Sequence, residues 1–243
     1  MPQMATPDQR GKVLYCAAKC GDLELTTQLL GCVVNTSVDY VDRYNQSPLF
    51  MAALKGHAPI VKALLNAGAD KDALNVDLQT PLSVAAWHGC KSVVKLLLAT
   101  GVNMDNRDAY QQTPLFIAAW KGHTTIVKLL LAAGANKDEV NEDNQTPLYI
   151  AAKEGHTSIV KELIAANVNV NIHDDFGQTP LFMAVWNNRT TITALLLDAG
   201  ADVCKRSHQD LSAVDVAMEA GNAQILQLFW NFGQNFVQNF VQN

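Results

Sequence analysis

Ser-Pro-Leu at 47–49 returns as Thr-Pro-Leu at 80–82, 113–115, 146–148 and 179–181, so that Pro48, Pro81, Pro114, Pro147 and Pro180 stand 33 residues apart. No other feature constrains the chain as much. A fixed period of this length means that each unit buries its apolar face on its neighbours rather than in one shared centre. Other columns keep the phase. Ala52-Ala53 is followed by Ala85-Ala86, Ala118-Ala119, Ala151-Ala152 and Ala184-Val185. Gly56, Gly89, Gly122 and Gly155 recur with Asn188 in the fifth place, and Gly68, Gly101, Gly134 and Gly200 recur with Asn167 in the fourth. Five units therefore occupy residues 43–207.

Each unit reads as two short helices and a turn. Thr or Ser is an N-cap, and the Pro after it fits the first helical position, where the missing N–H has no partner in any case. The Leu and Ala that follow give the first helix a small apolar face. A Gly then breaks the chain. The second helix carries branched residues, as in Ile-Val-Lys-Leu-Leu-Leu at 126–131, that bury on one side. It stops at a Gly suited to the left-handed C-cap, and Asn167 is the next most tolerant residue there. The polar stretch that remains forms a projecting hairpin between units.

The pattern resembles the ankyrin repeat. Thr-Pro-Leu-x-x-Ala-Ala-x-x-Gly-His stands nearly intact at 113–123 and 146–156. The resemblance implies an all-α ankyrin-repeat solenoid of about seven helix-turn-helix units with projecting hairpin loops. Its single domain would span 8–230, with an N-terminal cap at 8–42, five full repeats at 43–207 and a C-terminal cap at 208–230. The caps lack Thr-Pro-Leu, as terminal units facing water on one side are expected to, and the first is followed by a turn two residues longer. One departure stands out. The family's His after Thr-Pro-Leu is here Phe50, Ser83, Phe116, Tyr149 and Phe182, so aromatic packing is expected to replace its hydrogen-bond network.

Composition removes several alternatives. The chain is 49% hydrophobic and 17% charged, a globular balance. No apolar run approaches the roughly 18 residues of a membrane span, and the first residues lack the basic and apolar regions of a secretory signal. No direct membrane insertion is expected. A net charge of -5 suits nucleic acid poorly, so no nucleic acid is expected as partner. Cys16, Cys20, Cys32, Cys90 and Cys204 form no Cys-x-x-Cys pair and have no His set nearby. Small buried thiols in a reducing compartment are expected, placing the protein in the cytoplasm with the nucleus as the alternative.

Catalysis finds no support. His57, His123 and His156 each follow the interhelical Gly of their unit, and adjacent units stack roughly 10 Å apart by helix packing, too far to share a metal. No nucleophile motif, phosphate loop or His-Glu metal motif occurs. His173, beside Asp174 and Asp175, falls in a hairpin. No enzyme activity, metal or cofactor is expected.

Binding is the sharper expectation. The resemblance implies a concave groove made of hairpin tips and the solvent-facing side of the first helices, into which the two residues after Ala-Ala point. Those are Leu54-Lys55, Trp87-His88, Trp120-Lys121, Lys153-Glu154 and Trp186-Asn187. The hairpin position four before each Pro adds Tyr44, Asp77, Tyr110, Asp143 and Phe176. Scaffolding alone does not require aromatics at these places, because other units put Lys153 or Asp143 there. The candidate partner-binding set is thus Tyr44, Leu54, Lys55, Trp87, His88, Tyr110, Trp120, Lys121, Phe176, Trp186 and Asn187, with Trp and Tyr as anchors. The competing expectation is that each Trp lies over the next unit and completes packing.

Other recurrences carry less. Lys62, Lys95, Lys128 and Lys161 mark a solvated outer face, and the acids Asp138, Glu139, Glu142, Asp143, Asp174 and Asp175 are expected in solvated turns. Gln46, Gln79, Gln112, Gln145 and Gln178 are expected to link adjacent hairpins. The tail at 231–243 repeats Asn-Phe-Val-Gln, placing Phe232, Phe236 and Phe240 on one helical stripe with Val237 and Val241. It is read first as continuing the last helix, then as a partner-binding peptide, then as a disordered segment. The function expected is a non-catalytic interaction module, an adaptor or inhibitor that is monomeric when free and grips a protein partner. The alternative is a structural subunit of a large cytoskeletal or membrane-associated assembly.

Overall fold

A computed structural model describes residues 6–31 and 37–241, with side chains through residue 233. Among these, the helices are α1 (Pro7–Cys20), α2 (Leu23–Gly31), α3 (Pro48–Leu54), α4 (Ala58–Asn66), α5 (Pro81–Trp87), α6 (Lys91–Ala99), α7 (Pro114–Trp120), α8 (Thr124–Ala133), α9 (Pro147–Glu154), α10 (Thr157–Ala165), α11 (Pro180–Trp186), α12 (Thr190–Asp198), α13 (Ala213–Glu219) and α14 (Ala223–Val241). They pair into seven helix-turn-helix units, as the sequence led us to expect. Odd-numbered helices stack on one another in an inner layer, and even-numbered helices stack outside them.

The local chemistry repeats with the sequence. Ser47, Thr80, Thr113, Thr146 and Thr179 each accept the amide three residues on, with Pro at the first helical position. Such a cap contributes about 1 kcal/mol. Leu49, Leu82, Leu115, Leu148 and Leu181 are buried, and the Ala pairs that follow have no room for a larger side chain between stacked helices. The turn into the outer helix needs a positive φ. Asn188 supplies 56° where other units use Gly, and Asn167 supplies 56° at the end of α10. The outer-face lysines Lys62, Lys95, Lys128 and Lys161 are exposed, and Lys128 pairs with Glu162 at 2.9 Å.

The buried column after Thr-Pro-Leu is aromatic except at Ser83, and hydrogen bonds to the next hairpin persist at Tyr149 and at Tyr15, which holds the matching place in the first unit. The Tyr149 hydroxyl donates to Asp174 Oδ2 of the next hairpin at 2.7 Å, and Tyr15 donates likewise to Asp42 at 2.9 Å. Burial and the neighbouring carboxylate push both phenols above their ordinary range.

One expectation needs correction. Cys16, Cys20 and Cys204 are exposed rather than buried, because α1 packs on its neighbour through Leu14, Tyr15 and Ala18, and Cys204 stands in a turn. Cys90 alone is half-buried among the four described, its thiol pushed up by burial, and Cys32 lies outside the described residues. The last helix runs on into the tail, as the first reading of 231–243 expects. α14 runs unbroken to Val241, and Phe229 and Phe232 pack partly on the core. The side chains of Phe236, Val237, Phe240 and Val241 lie outside the described residues.

Candidate functional site

Two places in each unit reach past the stack: the hairpin tip and the C-terminal end of the inner helix. The tip is built on one acceptor, half-buried at Asp42 and buried in the four hairpins that follow. Asp42 Oδ1 accepts the amides of Tyr44 at 2.9 Å and Gln46 at 3.0 Å. Asn75, Asp108, Asn141 and Asp174 do the same for the residues two and four positions on. Against the upward push of its burial, the Gln46 amide, the Tyr15 hydroxyl, the Tyr44 amide and the Arg43 charge hold Asp42 below the ordinary carboxylate range. At Asp108 burial wins and the carboxyl is raised.

Each tip carbonyl then accepts the next tip's amide: Tyr44 from Val76 at 3.0 Å, Asp77 from Ala109 at 2.9 Å, Tyr110 from Glu142 at 3.2 Å, Asp143 from Asp175 at 3.1 Å and Phe176 from His208 at 2.8 Å. The backbone therefore joins the hairpins. This corrects the role expected of the glutamines, since Gln79 and Gln145 accept side-chain bonds from Asn75 and Asn141 within their own hairpins. Part of the acidic group is structural as well. Asp138 accepts the amide of Asn169, Glu139 pairs with Arg107, and Asp174 is buried, while Glu142, Asp143 and Asp175 are exposed.

Asp77 and Asp143 make the same backbone bonds as Tyr44, Tyr110 and Phe176, so the side chain at this position is not set by the fold. Tyr44, Tyr110 and Phe176 are 46%, 59% and 65% exposed. Arg43 lies over the Tyr44 ring at 4.7 Å, a cation the sequence reading left out of the set.

At the helix ends, Leu54, Trp87, Trp120 and Trp186 are the last residues of α3, α5, α7 and α11. The structure brings some of them together. Trp87 and Trp120 are half-buried and meet edge-to-face at 5.3 Å, with an angle of 88°. Lys121 Nζ lies 3.6 Å from the Trp87 ring centre and 4.1 Å from that of Trp120. His88 is exposed beside them, its proton affinity lowered by burial and by Lys55, His123 and Lys121. Trp186 stands apart at 59% exposed, stacked on Phe182 of its own helix at 6.1 Å. Asn187 donates to the Met183 carbonyl at 2.9 Å, and Leu54 is half-buried with Lys55 exposed beyond it. Tips and helix ends share a surface: Trp120, Asp143, Lys153 and Glu154 line one recess of about 220 Å³. A larger, mostly apolar recess of about 500 Å³ opens elsewhere, between Phe229 and Phe232 of α14 and the turn at Gly200 to Cys204.

The histidines are joints. His123 Nε2 is 3.1 Å from the Trp87 carbonyl and His156 Nε2 is 3.0 Å from that of Trp120. A carbonyl can only accept, so Nε2 is the donor in both. Arg189 takes over this role in the fifth unit, donating to the Glu154 carbonyl at 3.0 Å. Among the described residues, no group of three or more His, Cys, Asp or Glu could hold a metal ion, and no helix is long and apolar enough to cross a membrane.

A family model described as ankyrin repeats (3 copies) matches residues 13–108, 72–141 and 115–207. An ankyrin repeat-containing protein of Saccharomyces cerevisiae is 39% identical over 67 residues, which cover 27% of this chain and 13% of that protein. The BTB/POZ domain-containing protein 3 of Schizosaccharomyces pombe is 45% identical over 53 residues, covering 22% of this chain and 10% of its own length. The matches thus span about a tenth of these curated relatives. Among solved structures, the ankyrin repeat domain of Bcl-3, a member of the IkappaB protein family, superposes with a TM-score of 0.81 at 24% identity, covering 93% of this chain and 98% of that one. The human ASB11 ankyrin repeat domain superposes with a TM-score of 0.78 at 31% identity, covering 90% and 96%.

Proposed function

Because the chain belongs to the ankyrin-repeat family, whose domains bind other proteins, we propose that it is a non-catalytic module that grips a protein partner in a concave groove. The groove is lined by the hairpin tips and inner-helix ends, and the module acts as an adaptor or as an inhibitor that masks its partner's surface. One observation carries this reading. The bonds between units are complete whichever side chain occupies the tip, yet Tyr44, Tyr110, Phe176 and, at its helix end, Trp186 are large aromatics turned to solvent. Rigid aromatic side chains of this kind anchor protein interfaces.

Trp87 and Trp120 take part in both roles. Their mutual contact ties α5 to α7, and their remaining exposed edges extend the aromatic surface. The test is a pull-down from the native cell type, comparing wild type with a Trp87→Ala, Trp120→Ala, Trp186→Ala triple variant. Partners captured by wild type and lost with the triple variant are expected. An identical set of partners from both baits would reject the groove.

A further inference from the structure

The four outward positions of each unit can be read as a table of charge. At α3, α5 and α7 they hold the cations Arg43, Lys55 and Lys121 against one carboxylate, Asp77, while burial and the neighbouring Lys55 disfavour the charged form of His88. At α9 and α11 they hold Glu142, Asp143, Glu154 and Asp175 against one cation, Lys153. All but Lys121 and Lys153 are exposed, and those two are half-exposed. The division runs across the groove between α7 and α9, at the recess shared by Trp120, Asp143 and Glu154.

No ion pair among the described residues neutralises these charges, although Asp175 accepts a hydrogen bond from the Asn144 side-chain amide of the preceding hairpin. The ion pairs found among the described residues are Arg107 with Glu139, Lys128 with Glu162, and Arg206 with Asp210 and Asp215. None includes a groove charge. Lys71 and Lys137, off the groove, donate to the carbonyls of Thr100 and Ala166. Lys121, by contrast, rests on two indole faces with no carboxylate opposite. Indole faces hold an ammonium in place without cancelling its field, so an arriving carboxylate meets a cation already positioned. Burial, Lys55, His123 and Lys121 all lower the proton affinity of His88, so the positive charge of this half rests on Arg43, Lys55 and Lys121.

Building on the groove reading, we propose that the segment bound there is bipolar, with an acidic stretch of polypeptide over α3, α5 and α7 and a cationic stretch over α9 and α11. Complementary halves fix the direction in which the partner lies and repel the reversed register. The aromatics supply contact area to both halves, so charge selects orientation more than affinity. Association therefore slows as salt is added.

Two labelled peptides test this, one of repeated Glu-Glu-Phe-Gly blocks and one of Lys-Lys-Phe-Gly blocks, titrated into the ¹⁵N-labelled full chain. The indole N–H signals are assigned by single Trp→Phe variants. The acidic peptide is expected to move the signals of Trp87 and Trp120, and the cationic peptide that of Trp186. Lys55→Glu should weaken the acidic peptide about tenfold, with Lys121→Gln as a second variant and thermal melts checking that both fold. Both peptides moving the same indoles with equal affinity would overturn the polarity while leaving the groove standing. Neither peptide moving any of these three indoles would overturn both.

Discussion

Two columns of aromatic residues run along the inner helices, one helical turn apart. Phe50, Phe116, Tyr149 and Phe182 are buried, and Trp87, Trp120 and Trp186 end their helices at the surface. In the buried column the residue varies together with its contact in the next hairpin. Tyr15 and Tyr149 face Asp42 and Asp174, which accept their hydroxyl protons. Phe50 and Phe116 fall in the units preceding Asn75 and Asn141, whose amides turn instead to Gln79 and Gln145. In the surface column no such matching occurs: Leu54, Trp87, Trp120 and Trp186 end their helices, and Lys153 holds the same repeat position one residue before the end of α9. Variation answered inside the molecule maintains the fold, whereas variation with no internal answer is available to a partner.

Asp174→Ala should do the most damage. It removes the acceptor for the amides of Phe176 and Gln178 and strands the buried hydroxyl of Tyr149. We expect a loss of about 3 kcal/mol, read by urea unfolding. Tyr149→Phe is the milder break. It leaves the hairpin's amide bonds in place and takes one donor from a buried carboxylate, a loss of about 1–2 kcal/mol. Tyr149→Phe with Asp174→Asn rebuilds the Phe–Asn pairing of other units and should recover much of that loss. An additive double variant would show that the two positions are not coupled.

The period made the units, their caps and the helix-ending turns legible, because each rests on local chemistry that recurs at fixed spacing. Asn167 and Asn188 could be placed from the sequence since few residues besides Gly tolerate a positive φ. The tyrosine–aspartate joints were not legible. Tyr149 and Asp174 are 25 residues apart, and only the stacking of units shows that a phenol and a carboxylate meet. The candidate surface was legible as positions but not as contacts. The row Trp87, Trp120, Lys153, Trp186 shows which tryptophans stand in adjacent units, but not the edge-to-face meeting of the first two or the seat of Lys121 on both rings. The role of Arg189 was hidden as well, since from one repeat position an imidazole reaches the carbonyl of Trp120 and the longer guanidinium reaches that of Glu154, one place further along its unit.

Ser83 is the exception within the buried column. Its hydroxyl turns back to Thr80, and Asp108 opposite is a carboxylate in a hairpin with no Tyr to donate to it. A carboxyl raised on folding disfavours the folded state once ionised, and that penalty is relieved as pH falls through its folded value. Asp108→Asn keeps the amide acceptor and can bond Gln112 as Asn75 bonds Gln79. It should add about 1 kcal/mol at neutral pH, with the gain shrinking toward about pH 4. A variant no more stable than wild type at neutral pH would contradict this account.

The surface column gives the smallest stability effects. Trp120→Ala removes an edge-to-face contact and one of the two faces holding Lys121, at a cost of about 1 kcal/mol. Trp186→Ala removes only a stack on its own helix from a side chain already 59% exposed. Its unfolding midpoint should stay within about 0.5 kcal/mol of wild type, while partner binding falls. Because the fold does not depend on Trp186, any loss of affinity in that variant belongs to the interface itself. Stability lost in proportion to affinity would instead make Trp186 part of the scaffold and remove the distinction between the two columns.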